Sequence, residues 1–186
     1  MNDFTCSQKN PSNLGKWAAN YHNRTESYTY GDTISYNKAV EFFTDIETVE
    51  DWGCGAGGFR QFWPRTYIGI DGSDSQFADI KTDLVTYRSN AEAVFMRHVL
   101  EHNVLWKDIL TNAVMSFQRK FCLVLFTPFV EKTKEIAYYN RLDVPDIAFS
   151  IEDITNHFST LNWKLESHDA PGSLYSIETI FYIEKQ

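Results

Sequence analysis

The sequence predicts a single α/β domain: a three-layer sandwich whose seven-stranded, mostly parallel sheet is closed by an antiparallel hairpin. Three observations carry that reading. A short acidic and apolar run at 49–52 feeds directly into Gly53-Cys54-Gly55-Ala56-Gly57-Gly58, a glycine loop placed where a strand turns toward a helix. Further along, short apolar runs alternate with stretches of helical spacing, and "FCLVLF" at 121–126 is the continuous apolar run that a strand buried on both faces requires. Finally, "NWKLESHDA" and "LYSIETIFYIEK" are two β-rich runs on either side of Pro171-Gly172-Ser173, the pattern of a hairpin.

Each element follows in order. Residues 1–16 are polar and rich in Asn and Ser, and are expected to be loose at the start. Trp17, Tyr21, Tyr28 and Tyr30 then precede a helical patch around Ala39, Val40 and Phe43, so that 1–45 reads as an N-terminal lid or helical segment on a domain of 46–186. Strands are predicted at 48–51, 67–71, around 77–84 and at 93–96. "GFRQFW" allows a helical turn or two before Pro64 stops it. After the fourth strand, Leu100, Val104, Leu105, Ile109, Ala113, Val114 and Phe117 recur at the spacing of one long helix. Past "TPF" the pattern loosens until Ser150-x-x-Asp153, a capping box opening a short helix toward Phe158. The strand order is expected to reverse beside the glycine loop, which puts a ligand at the carboxyl ends of the strands.

Composition narrows the function. The chain has 186 residues, 43% hydrophobic and 23% charged, as in soluble globular proteins. A net charge of -8, without a run of Lys or Arg, argues against an extended nucleic-acid surface, since that binding rests on phosphate neutralisation. The first 17 residues hold no apolar h-region, and nowhere do about 18 apolar residues follow one another. Cys6, Cys54 and Cys122 are isolated and lack metal-like spacing, as reduced thiols are. The expectation is a soluble, cytoplasmic protein without membrane contact. Aromatic residues reach 16%, enough to line a pocket as well as a core.

The glycine loop satisfies two fingerprints. Gly53-x-Gly55-x-x-Gly58 fits a dinucleotide loop, and Asp51-x-Gly53-x-Gly55-x-Gly57 fits a loop that holds S-adenosylmethionine (SAM). Asp71, at the end of "YIGID", is the acid that binds ribose hydroxyls for either ligand. Asp51 separates them. A carboxylate there repels a pyrophosphate, by roughly 3 kcal/mol per charge pair at about 5 Å and an effective dielectric near 20. The ammonium and sulfonium of SAM are instead attracted to it. The helix cut short at Pro64 also suits an amino-acid moiety better than an extended dinucleotide.

With these residues in place, the sequence resembles the class I SAM-dependent methyltransferases. Asp51-Trp52-Gly53-Cys54-Gly55-Ala56-Gly57 is similar to their first motif, "GIDGS" to the second, "TDL" to the third and "FMRHVLEH" to the fourth. The resemblance spans about 48–130, and the terminal hairpin matches the family's last two strands. It implies that Asp51 and the backbone of Gly53, Cys54 and Gly55 hold the methionine end, and that Asp71, with Gly72, holds the ribose. It further implies that Asp83 and Leu84 reach the adenine, and that the carbonyl of Arg97 takes the SAM ammonium. Two alternatives stay open: Asp79 competes with Asp83 for the third-strand position, and Arg97 could spend its guanidinium in a salt bridge.

His98, at the entry of the helix after the fourth strand, is the candidate catalytic base for a hydroxyl acceptor. His98-x-x-Glu101-His102 also matches an inverted zinc-protease pattern, set aside for want of a third ligand; no metal is expected. His22, His157 and His168 show no recognisable partners in the sequence. The aromatic stretch 17–36 reads as a lid over SAM or as ordinary packing, and 137–149 as a substrate contact or a surface insertion. The Asn/Asp-Pro-Pro-aromatic signature of amino-group DNA and glutamine methyltransferases is replaced by "MRHV". The expected function is therefore methyl transfer to an oxygen or nitrogen of a small molecule, such as a sugar or hydroxylated metabolite. A non-catalytic SAM sensor or partner subunit is the competing reading, and protein methylation the third.

Overall fold

In the computed structural model, which describes residues 4–185, the elements run α1 (Ala18–Tyr21), α2 (Ile34–Phe42), β1 (Thr48–Trp52), β2 (Thr66–Asp71), β3 (Ile80–Lys81), β4 (Ala91–Arg97), α3 (Trp106–Ser116), β5 (Phe117–Leu125), β6 (Lys134–Tyr139), β7 (Val144–Ala148), α4 (Ile151–Thr155), β8 (Asn162–Asp169) and β9 (Ile177–Glu184). Seven strands form one sheet in the order β3-β2-β1-β4-β5-β9-β8. The first five pair in parallel, and β9 and β8 add an antiparallel hairpin onto β5. The expected fold class is the observed one, and the order reverses at β1, beside the glycine loop.

Alternation along the strands builds two apolar layers. Val94, Met96, Leu123, Phe181 and Ile183 face one way, toward α3, whose Trp106, Ile109, Leu110 and Ala113 are fully buried. Ala93, Phe95, Cys122, Val124 and Ile180 face the other way, toward Ala39 of α2 and Phe43 just past it. The period of two that puts neighbouring residues on opposite faces is thus satisfied on both sides of the sheet.

Several boundaries differ from the sequence reading. The third strand is reduced to Ile80–Lys81, because a turn at 75–78 and the bond from Asp79 N to Gly69 O take up the preceding residues. The helix after β4 is not continuous. A 3-10 turn, Leu100–His102, ends at Asn103 in extended conformation, and α3 begins at Trp106. Asn103 Oδ1 accepts from Leu105 N while its Nδ2 donates to Pro11 O and Asn13 Oδ1, so an N-terminal contact breaks the helix. Phe117, at helical spacing, instead opens β5, where its ring lies 5.8 Å from that of Phe121. The capping box is present: Ser150 Oγ accepts from Asp153 N at 3.1 Å. The loosely patterned stretch after "TPF" is a separate two-stranded antiparallel sheet, β6–β7. No helix among the described residues is long and apolar enough to cross a membrane.

Candidate active site

The carboxyl ends of β1, β2 and β4 open onto one cavity of about 520 Å³. Between β1 and the short 3-10 turn Phe59–Gln61 runs the glycine loop, bent by positive φ at Gly53 (78°), Gly55 (50°) and Gly57 (69°). A Cβ at Gly53 would sit 2.4 Å from Val99 Cγ2, so both the turn and the close approach require glycine there. Gly53→Ala is therefore expected to lose about 1–3 kcal/mol of stability, from strain and overpacking, in chemical denaturation. Wild-type stability in that variant would show that the loop relaxes freely.

Asp51, Gly53, Cys54, Gly55, Asp71, Gly72, Leu84, Arg97 and His98 all line this cavity. Asp83 does not. Its carboxylate is taken by the N-terminal segment, accepting from Ser12 Oγ (2.5 Å), Asn13 Nδ2 (3.1 Å) and Asn13 N (3.3 Å), besides Val85 N (3.0 Å). Burial raises its pKa, but these bonds outweigh burial and hold it below the ordinary value. The rival acid Asp79 is also engaged: Gly69 N and the Arg60 guanidinium donate to it.

Asp51 is 4% exposed, and its Oδ2 accepts from Tyr67 Oη at 2.6 Å. Burial pushes its pKa up to about 7, and neighbouring Asp71 adds to the rise, against the Tyr67 bond and the Arg97 charge. Asp71 is braced at both oxygens, Oδ2 accepting from Gly55 N at 2.8 Å and Oδ1 from Ser73 N at 2.7 Å. Two acids thus line one cavity, an arrangement that an incoming cation stabilises.

Arg97 closes the far wall with its guanidinium. It donates to Ser35 Oγ, Tyr36 Oη, the Tyr30 carbonyl and, at 2.5 Å, Glu178 Oε1, and it lies over the Tyr36 ring. Of the two alternatives for this residue, the salt bridge is present, and the main-chain carbonyl remains a separate group. His98 adopts φ 58°, a strained conformation for a residue with a side chain, and its Nε2 lies 2.9 Å from Glu178 Oε1 without hydrogen-bond alignment. Burial and the adjacent Arg97 depress its pKa to about 4. His98 and His102 turn to different partners, so the inverted zinc-protease pattern does not converge on one point.

His102, not singled out for catalysis from the sequence, also lines the cavity. Its Nδ1 stands 3.0 Å from the carbonyl of Pro145 and 3.2 Å from Asp146 Oδ1. A carbonyl can only accept, so Nδ1 carries the proton and Nε2 keeps the basic lone pair. Burial lowers the His102 pKa, but Asp146 and Glu101 more than offset this and raise it above the ordinary value. Asp146 is fixed in turn by the hydroxyls of Tyr139 (3.0 Å) and Tyr175 (2.8 Å). The sequence signal for this pair was thin: His102 stood in the fourth motif, but Asp146 reaches it only through β6–β7. Of the other histidines, His157 lies 3.1 Å from Thr111 Oγ1, and His22 Nδ1 lies 2.9 Å from the Ala18 carbonyl.

The N-terminal segment contributes Asn13, Trp17, Asn20, Tyr21, Tyr28 and Tyr30 to the cavity lining. Gly15 N bonds to Gly72 O and Tyr28 N to Ala56 O, and the Tyr21 hydroxyl lies 3.0 Å from where a Cβ on Gly55 would be. Trp17 packs on the His102 ring at 5.2 Å. From the other side, Tyr139, Leu142 and Asp146 contribute to the lining, so part of 137–149 belongs to the cavity wall.

This architecture is that of the class I SAM-dependent methyltransferases, and solved structures share it at low sequence identity. One is the magnesium protoporphyrin IX methyltransferase from Synechocystis PCC 6803 with bound S-adenosylhomocysteine (TM-score 0.60, 13% identity, 82% of each chain). Another is the 1,6-didemethyltoxoflavin-N1-methyltransferase from Burkholderia thailandensis, with 1,6-didemethyltoxoflavin and S-adenosylhomocysteine (TM-score 0.62, 10% identity, 83% of this chain and 80% of that one). A third is a SAM-dependent methyltransferase from Thermotoga maritima, described as a possible histamine N-methyltransferase (TM-score 0.59, 11% identity, 82% and 88%). No protein-family model and no curated protein matches the chain.

Proposed function

We propose that this chain is a SAM-dependent methyltransferase acting on an oxygen or nitrogen of a small molecule, of the kind represented by a sugar or other hydroxylated metabolite. The observation that carries the reading is Asp51, a buried acid lining the cavity beside a glycine loop and a braced second acid, Asp71. SAM fits that donor set. Its ammonium would pair with Asp51 and the Arg97 carbonyl, its ribose with Asp71 beside Gly72, and its adenine with Leu84. Gly53, Cys54 and Gly55 would approach the methionine end through their backbone. Asp83, bonded to Ser12 and Asn13, would help the adenine side indirectly by anchoring the segment that closes over it. When bound, SAM supplies an electrophilic methyl group.

The remaining steps fall to the chain. Residues 1–45 serve as the cover on a domain of 46–186, excluding water with Trp17, Tyr21, Tyr28 and Tyr30. For a hydroxyl acceptor we assign the proton-accepting role to His102 Nε2, with Asp146 as its orienting partner, in preference to His98, whose Nε2 is turned toward Glu178. A cavity of this volume is compatible with a small acceptor beside a cofactor. The structural neighbours named for magnesium protoporphyrin IX and 1,6-didemethyltoxoflavin are compatible with such a substrate. Free thiols at Cys6, Cys54 and Cys122 fit a cytoplasmic setting.

Titration calorimetry is the direct test: SAM and S-adenosylhomocysteine are expected to bind, and NAD is not. Asp71→Ala should weaken SAM by about 1.5–3 kcal/mol, the value of charge-assisted bonds to a diol. NAD binding in place of SAM would overturn the cofactor reading. Screening acceptor pools for release of S-adenosylhomocysteine then separates an enzyme from a sensor, since tight SAM binding without turnover across broad pools would favour the sensor.

A further inference from the structure

We propose that Asp32, His168 and Glu178 form a site for a divalent transition-metal ion of the zinc class, clipping the loop before α2 onto the closing hairpin. This inference stands apart from the cofactor reading, since none of the three residues belongs to the SAM donor set.

The hairpin sets up two of the donors. His168 on β8 and Glu178 on β9 are directly opposite each other in the antiparallel register, so their side chains leave the same face of the sheet. Asp32 arrives from the loop ahead of α2, where the chain passes so close to the hairpin turn that a Cβ on Gly172 would lie 2.8 Å from Gly31 Cα. The donor atoms of the three residues all lie within 4.8 Å of one another. His168 Nε2 is 3.6 Å from Glu178 Oε2 and 3.9 Å from Asp32 Oδ1.

These separations are too long for hydrogen bonds and nearly right for shared coordination. A tetrahedral ion with bonds of about 2.0–2.1 Å holds its ligands about 3.3 Å apart, so the two His168 separations need contract by only a few tenths of an ångström, and the Asp32–Glu178 pair, within 4.8 Å, by at most about 1.5 Å. Asp32 Oδ1 accepts from Ile34 N and Glu178 Oε1 from Arg97, but the other polar atoms there are unspent. Glu178 has no exposed surface, and its Oε2 has no hydrogen-bond partner. Both ring nitrogens of His168 and Asp32 Oδ2 are likewise buried without a partner. Buried polar atoms of folded proteins are normally paired, and four clustered exceptions call for a ligand.

The carboxylate is already oriented for that role. Glu178 Oε1 is held by Arg97 at 2.5 Å, with His98 at 2.9 Å on the same oxygen, which turns Oε2 toward His168. Ligating carboxylates are commonly fixed in this way through their other oxygen. Two carboxylates against one guanidinium leave the cluster short of positive charge. An imidazole donor favours zinc, nickel or copper over magnesium and calcium, which prefer all-oxygen shells. Three protein ligands leave one coordination position for water.

The test uses the full chain, stripped with a chelator and titrated with Zn²⁺, Ni²⁺, Co²⁺ or Mg²⁺ alone, without SAM. One Zn²⁺ per chain is expected, with a higher melting temperature and, for Co²⁺, the visible absorption of a tetrahedral site. His168→Ala and Asp32→Asn should each weaken Zn²⁺ about 100-fold or more and leave the far-ultraviolet circular dichroism unchanged. Glu178→Gln also disturbs Arg97, so the two outer variants decide the matter. Zn²⁺ affinity equal to wild type in both, binding of several ions per chain, or a preference for Mg²⁺ would each overturn the proposal. Failure of SAM to bind would leave it standing.

Discussion

Replacing Asp51 with Asn is expected to make the protein more stable and nearly unable to hold SAM. Burial lifts the folded-state pKa of Asp51 to about 7, whereas an unfolded aspartate titrates near 3.9. A raised carboxylate pKa means that the fold prefers the protonated form. Its full stability is present below pH ~4 and declines as pH rises toward 7. Asparagine removes that penalty and still accepts from Tyr67 Oη. At pH 8 the variant should melt about 5 °C or more above wild type, and the gap should close as pH falls toward 4. Ligand affinity moves the other way. An ammonium about 4 Å from a carboxylate at an effective dielectric near 20 is worth about 4 kcal/mol, so a loss of at least 100-fold is expected by calorimetry. In wild type the affinity should be level above pH ~7 and fall about tenfold per unit below it, because protons compete with the ammonium; in the variant the profile should be flat. Equal SAM binding by the two proteins at pH 8 would remove Asp51 from the site.

The second large effect is expected at His102. With a hydroxylated acceptor, His102→Asn should lower the maximal rate by about 100-fold or more and leave SAM affinity nearly unchanged. Wild type should lose rate as pH falls through the His102 pKa, which the Asp146 interaction holds above the ordinary histidine value, and the variant should lack that acidic limb. Asp146→Asn should keep the limb but shift it to lower pH, since the imidazolium loses its stabilising charge. His98→Asn serves as the comparison. If it, and not His102→Asn, removes the acidic limb, the base assignment returns to the residue first indicated by the sequence. Loss of SAM binding in His102→Asn would instead make this histidine part of the cofactor wall.

What could be read in advance was whatever is local in the chain. The glycine loop, Asp71 at the end of β2 and the Ser150 cap each depend on residues a few positions apart, and all were placed from the sequence. The burial of β5 on both faces followed from its continuous apolar run at 121–126, and the closing hairpin from its Pro-Gly-Ser turn. Features that depend on distant partners stayed hidden. The start of α3 is decided at Asn103 by Pro11 and Asn13, and nothing near Asn103 announces it. Asp83 carries a family motif, yet Ser12 and Asn13 decide what its oxygens touch. The His102–Asp146 pair and the Asp32–His168–Glu178 cluster join segments with no shared period or spacing.

The docking of the N-terminal segment has a kinetic consequence. Ser7 N bonds to Glu135, Gln8 to the Asp143 carbonyl, and Lys16 pairs with Asp143 at 3.1 Å. These contacts close loops of more than a hundred residues, which are slow to form and entropically costly, whereas β1, β2 and β4 pair across much shorter separations. On a ribosome the segment emerges long before the residues that receive it. The sheet and the glycine loop can therefore assemble first, and the segment settles last. In the finished protein the same contacts should open first, so amide exchange at Ser7, whose N–H is held by Glu135, is set to run faster than at the β4–β5 ladder.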